Sequence, residues 1–260
     1  MRRVVSLFRS SVGKKILMAL TGVILVGFIV AHMFGNLKVF YGPEAFDHYA
    51  EWLRDPLSPL VPPMWGLWIF RIVLLGAVAV HIWAALSTWL TSRAARRHGY
   101  RKEKSLSFSY ASRTMRWGGV IVFLFVVYHI LHFTTGQAHS DFRQGEVYHN
   151  FVVAFRHPLV LLAYLVAQGA LCLHIYHGVW SVFQTLGANH PRYNAYRRPL
   201  AAVVALLVFA GFMAPPVAVS AGLIGQEVPM QAATGPSDRS LALDPAARQA
   251  PVPDAPEGSH

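Results

Sequence analysis

Leu171-Cys-Leu-His-Ile-Tyr-His-Gly-Val-Trp180 lies deep inside a long apolar run, and it carries His174 where hydrocarbon would normally surround a side chain. An ionisable group at membrane depth is costly and needs a partner. Three other apolar runs also carry a histidine. The fold turns on whether these histidines meet, and what they hold if they do.

Of the 260 residues, 54% are hydrophobic and 13% charged, where a soluble domain would carry about a quarter charged. The charges cluster and leave clean apolar runs, so the chain reads as an all-α integral membrane protein. The one cysteine, Cys172, excludes an intrachain disulfide framework. It also excludes an iron–sulfur cluster held by this chain alone, which needs about four thiolates. Cys172 itself reads as a small buried hydrophobe.

Residues 1–15 are short and basic, and 16–37 form the first apolar run, long enough to span. It exceeds a signal-peptide core, and no small-residue cleavage site follows, so it is expected to stay as the first span. Residues 38–64 are polar and proline-rich. Within them, Pro43–Arg54 has helical spacing of apolar residues and suits a short interfacial helix. The second span is expected at 65–90, the third at 117–136, the fourth at 158–186 and the fifth at 200–224. Pro215-Pro216 is expected to kink or end the fifth early. Together, 1–224 make one transmembrane domain, and the proline-rich 225–260 read as a disordered tail.

Charge fixes the expected orientation. With the N-terminus cytoplasmic, segments 1–15, 91–116 and 187–199 carry sixteen Lys/Arg and one acid, Glu103. Segments 38–64, 137–157 and 225–260 carry six Lys/Arg and eleven acids. This follows the positive-inside rule and leaves the C-terminus outside. It also accounts for the net charge of +11 without any nucleic-acid partner. The basic face suits a soluble partner or anionic membrane lipid.

Seven of the thirteen histidines, His48, His98, His139, His149, His157, His190 and His260, fall in loops or the tail and read as solvated side chains. Six fall in spans: His32, His81, His129, His132, His174 and His177. A single such histidine is as well explained by a hydrogen bond to a neighbouring helix. One in each of four successive spans is a different observation. By helical rise, His32 and His129 lie roughly 10 Å below the outer surface, and His81 and His174 roughly 24 Å below it. That makes two tiers, His32 with His129 outside and His81 with His174 inside. Two imidazoles facing each other across a bundle supply the axial ligands of a b-type haem. With both axial positions filled, such a haem carries electrons and does not bind oxygen. His132 and His177, each three residues after a proposed ligand, are near the same face and leave the choice within each pair open. Gly22, Gly27, Gly76, Gly118, Gly119, Gly169 and Gly178 offer either room for a flat macrocycle or close helix packing. The fifth span has no histidine or charge and is expected outside the four-helix core.

Four stretches carry a resemblance: Ala31-His-Met-Phe-Gly-Asn36, Val80-His-Ile-Trp83, Phe125-Val-Val-Tyr-His-Ile-Leu-His-Phe133 and Leu173-His-Ile-Tyr-His-Gly-Val-Trp-Ser181. In order and spacing, over residues 10–224, the chain resembles the dihaem cytochrome b558 membrane anchor of succinate dehydrogenase and fumarate reductase. The resemblance implies one haem ligand from each of the first four spans, and it favours His129 over His132 and His174 over His177. It implies a distal haem on His32 and His129 and a proximal one on His81 and His174. It also implies a flavoprotein and an iron–sulfur subunit as separate chains on the basic face. Electrons would pass through the inner and then the outer haem to a quinone, with menaquinone expected.

No Asp or Glu lies in any span, so the membrane glutamate that some fumarate reductases of this type carry has no equivalent here. That tilts the expectation toward succinate oxidation. His48, Glu51 and Arg54 are candidates for the quinone, and Arg71, Arg113 and Arg116 for haem propionates. Rival readings are the dihaem anchor of another quinone-linked dehydrogenase (fumarate reductase, hydrogenase or formate dehydrogenase) and a non-haem membrane transporter.

Overall fold

The computed structural model describes residues 10–95, 106–188 and 190–228, without the side chains of 106–114. The basic residues 1–9 and 96–105, His98, His260 and the tail from 229 on lie outside the described residues. The chain divides after Gln226, and all the helices described belong to the first unit.

Every element described is helical. In order these are α1 (Ser11–Leu37), a 3-10 turn (Lys38–Tyr41), α2 (Pro43–Trp52), α3 (Trp65–Ala94), α4 (Leu106–His129) running into a π-turn (Ile130–Thr134), α5 (Val147–Arg156), α6 (Pro158–Thr185), α7 (Pro191–Asn194) and α8 (Arg197–Ser220). Five stretches, Ser11–Tyr41, Trp65–Ala94, Met115–Thr134, Pro158–Thr185 and Pro191–Ser220, built on α1, α3, α4, α6 and α8, are long and apolar enough to cross a membrane. In hydrocarbon, a lone segment satisfies its backbone only as a helix. Leu75, Ile72, Leu124, Leu206 and Leu207 are all exposed, a surface suited to lipid. The protein is a multi-pass helical membrane protein.

Local signals set the ends. Ser10 accepts a hydrogen bond from Gly13 N–H (3.0 Å) and caps α1. Pro43 and Pro158 occupy first turns, where a missing N–H costs nothing. Pro158 also forces the residue before it out of the helical region: His157 is extended (φ −86°, ψ 117°). That break separates α5 from α6.

The packing departs from a four-helix bundle with an outlying fifth. Helix α8 lies along α6 and also packs on α1, and the buried cluster Met33, Ile175, Ala205 and Val208 joins all three. Small residues permit the approach: Ala201 and Ala205 are fully buried, and a Cβ at Gly211 would meet Met33 Sδ at 2.3 Å. The core is therefore α1–α6–α8, with α3 flanking α1 and α4 flanking α6. Nor does Pro215-Pro216 end the helix, which continues to Ser220. Both rings are buried, and that packing offsets the two lost backbone hydrogen bonds.

At one end, here called outer, α2 and α5 fold together into a cap. The ring of Phe46 meets those of Tyr148 and Phe151 at 6.5 and 6.0 Å. Tyr148 N–H donates to Asp47 Oδ1 (2.8 Å), and the Arg156 guanidinium donates to Gly225 O (2.6 Å). The loop 137–157, expected to be simply polar, thus holds one of the most buried helices of the described chain.

Candidate cofactor site: two facing histidine pairs

The structure brings the four histidines together two by two. The rings of His32 on α1 and His129 at the end of α4 have centroids 5.8 Å apart, nearly perpendicular at 83°. Those of His81 on α3 and His174 on α6 are 6.3 Å apart, inclined at 57°. Neither α1 with α4, nor α3 with α6, nor α3 with α4 has the close backbone approach seen between packed neighbours. Each pair therefore joins, among the described residues, helices whose backbones do not run closely side by side. His32 and His129 lie toward the capped end, His81 and His174 further inward.

One histidine of each pair is held by a hydroxyl from the adjacent packed helix. Thr21 Oγ1, buried on α1, lies 3.1 Å from His81 Nδ1. Its own proton goes back to Leu17 O (2.7 Å). Tyr164 Oη, on α6, lies 3.3 Å from His129 Nδ1 and 3.0 Å from His132 Nδ1. The π-turn starts directly after His129 and contains His132, and such turns recur at functional sites. His132 is buried between the rings of Tyr128 (5.1 Å) and His139 (5.0 Å). His177 instead lies edge-on to Trp180 at 5.5 Å. Against His32 stand the rings of Phe28, stacked at 5.4 Å, and Phe212 at 5.7 Å.

Among the described residues, three buried side-chain polar atoms lack a hydrogen-bond partner: His174 Nδ1, Thr88 Oγ1 and Gln168 Oε1. A buried polar group left unpaired costs about 1–3 kcal/mol, and of the three only His174 belongs to a facing pair. The glycines divide. A Cβ at Gly22 would touch His81 Cε1 at 3.4 Å, and one at Gly119 would touch His174 Cε1 at 3.8 Å. At Gly27, Gly76, Gly169 and Gly178 a Cβ meets nothing within 4 Å, so those four are not helix-contact glycines.

The remaining candidates lie apart. His48 and Glu51 are on α2, both exposed, and Arg54 is half-buried just after it. Among the described residues, no hydrogen bond or ring contact joins them to either pair. Arg71 is exposed with its guanidinium over the Trp68 ring (5.0 Å). Arg116 lies over Trp89 (5.9 Å), bridging the inner ends of α4 and α3. The Arg113 side chain lies outside the described residues.

His139 and His149, expected as solvated, are parts of the cap. His139 Nδ1 accepts from Asp141 N–H (3.1 Å), so its Nε2–H donates to Asn150 O (2.8 Å). Buried His149 pairs with Asp141 at 2.8 Å. The signal for α5 was present in Phe151-Val-Val-Ala-Phe155 ahead of Pro158. Thr21 and Tyr164 had only a weak signal, as polar groups inside apolar runs.

Comparisons of the chain with protein-family models, with curated proteins and with solved structures gave no match.

Proposed function

We propose that this chain is the dihaem cytochrome b membrane anchor of a succinate:quinone oxidoreductase in a bacterial cell membrane. The pairing carries the reading: one histidine from each of the first four spans faces another, two by two, between helices whose described backbones do not run closely side by side. Two imidazoles sharing one metal ion, each nitrogen about 2 Å from it, have centroids about 6–6.5 Å apart. The inner separation of 6.3 Å falls in that range and the outer one of 5.8 Å just below it. The donor chemistry fits as well: imidazoles in a low-dielectric interior, with the unpartnered His174 Nδ1 among them. His32 and His129 would hold one b haem, and His81 and His174 the other. Bound there, the two would supply one-electron transfer between a soluble donor and a membrane quinone.

The chain's own residues orient and enclose. Thr21 and Tyr164 fix ring direction. Phe28 and Phe212 shield the His32 ring from water. The cap closes the outer end. The basic segments, cytoplasmic under the positive-inside rule, offer docking for the flavoprotein and iron–sulfur subunits, with the C-terminus outside. Menaquinone is the expected acceptor, and the acid-free spans favour succinate oxidation.

The test is a reduced-minus-oxidised spectrum of the purified membrane protein, followed by co-purification. A sharp b-type band with two haems per chain is expected, together with a flavoprotein and an iron–sulfur subunit. Absence of the band sinks the haem reading. A band with a different dehydrogenase attached moves the anchor to that enzyme.

A further inference from the structure

The two pairs share an unexpected detail. In each, one histidine bonds a hydroxyl on the helix packed beside its own: Thr21 of α1 for His81 of α3, and Tyr164 of α6 for His129 of α4. In both cases the nitrogen engaged is Nδ1. That leaves Nε2 of each ring as the nitrogen for an iron.

Hydrogen directions follow from the neighbours. The Thr21 hydroxyl proton is committed to backbone carbonyls, Leu17 O at 2.7 Å and Met18 O at 3.2 Å. Thr21 Oγ1 can therefore only accept from His81, which puts the second ring proton on Nδ1. Tyr164 has one proton and two histidine neighbours. If His129 Nδ1–H donates to Tyr164 Oη, the phenol proton turns to His132 Nδ1, and His132 carries its own proton on Nε2. The phenol and both Nδ1 atoms are then satisfied, and His132 acquires a role: it aims the phenol.

We infer that Thr21 and Tyr164 are positioning residues, one per tier, which accept the Nδ1–H hydrogen bonds of His81 and His129 and so set each ligand's tautomer and basicity. This rests on the dihaem reading and adds to it. A hydrogen-bond acceptor behind a metal-bound imidazole raises its donor strength. A stronger donor stabilises ferric over ferrous iron, so losing the acceptor raises the reduction potential of that haem alone. The facing ligands, His32 and His174, take no hydroxyl from a neighbouring helix among the described residues; His174 Nδ1 is unpartnered. Each tier would thus have one clamped ligand and one free to adjust.

The experiment is spectroelectrochemical titration of the membrane-bound holoprotein in wild type, Thr21→Val, Thr21→Ser and Tyr164→Phe. Single-haem variants His32→Ala and His174→Ala assign the two waves. Thr21→Val should shift the inner wave upward by about tenfold in the reduction equilibrium, about 59 mV for one electron, and leave the outer wave in place. Tyr164→Phe should do the reverse, and Thr21→Ser should restore the wild-type value. Loss of the matching haem alone, rescued by Thr21→Ser in the inner tier, is the stronger form of the same result. Two bound haems with neither wave moved, or with both moved equally, overturn the assignment of these residues. A wild type that binds no haem overturns the dihaem reading itself.

Discussion

The outer pair, His32 with His129, sits beneath a folded cap; the inner pair, His81 with His174, is flanked only by spans. The outer clamp, Tyr164, passes its bond on to a second histidine and lies in a cluster of rings, with Phe155 at 4.9 Å and Phe125 at 4.9 Å. The inner clamp, Thr21, ends on a backbone carbonyl. One histidine of each pair is thus held in a different way, by a phenol within a cluster of packed aromatic rings at one level and by a threonine hydroxyl on the neighbouring helix at the other. The outer contact joins α4 to α6 across 35 residues of sequence, and the inner one joins α1 to α3 across 60.

The largest test of this contrast is removal of a ligand. Under the proposed dihaem reading, replacing His174 with Ala should eliminate the inner haem, cutting the b-type absorbance by about half and quinone reduction by orders of magnitude. Equal loss of both haems would mean that the tiers are not independent. Next comes the cap. Phe155 is buried, and Phe155→Ala should cost about 3–5 kcal/mol. On heating, the variant should release the outer haem before the inner one, as followed by the two absorbance waves; simultaneous release would deny the cap its selective role.

With haem bound as proposed, its removal should destabilise the whole protein. A ligand held at a thousand times its dissociation constant contributes about 4 kcal/mol, so apoprotein in detergent should melt well below holoprotein by circular dichroism. An unchanged midpoint would separate the cofactor from the fold. Asp47→Ala, which removes the tie from α2 to Tyr148 N–H, should cost about 1 kcal/mol and loosen the outer end alone, seen as faster amide exchange in α5. Smallest of all, Arg116→Ala removes the guanidinium over Trp89. It should cost about 0.5–1 kcal/mol and leave both haem spectra intact.

Much of the architecture is legible in the amino-acid sequence. Five apolar runs separated by charged loops specify five helices, because hydrocarbon leaves the backbone no other way to satisfy itself. Histidine depth follows from a fixed rise per residue, which is why counting residues is enough to separate the tiers. The place of α8 was not legible in that way. Its lack of histidine and charge suggested an outlying helix, yet Ala201, Ala205 and Gly211 form a small-residue face that admits α1 and α6. Small residues say that something approaches closely without saying what.

The sequence alone determined the membrane class, the number of spans and the depths of the histidines, since each depends on local hydropathy and helical geometry. Tertiary structure decided that His129 and His174, rather than His132 and His177, face the partner rings, that His132 turns to Tyr164 and His139, and that Thr21 and Tyr164 stand behind the facing rings. Those facts depend on the rotation of each helix about its own axis. In lipid that rotation is set by side-chain packing between helices, and no single helix carries it in its own pattern.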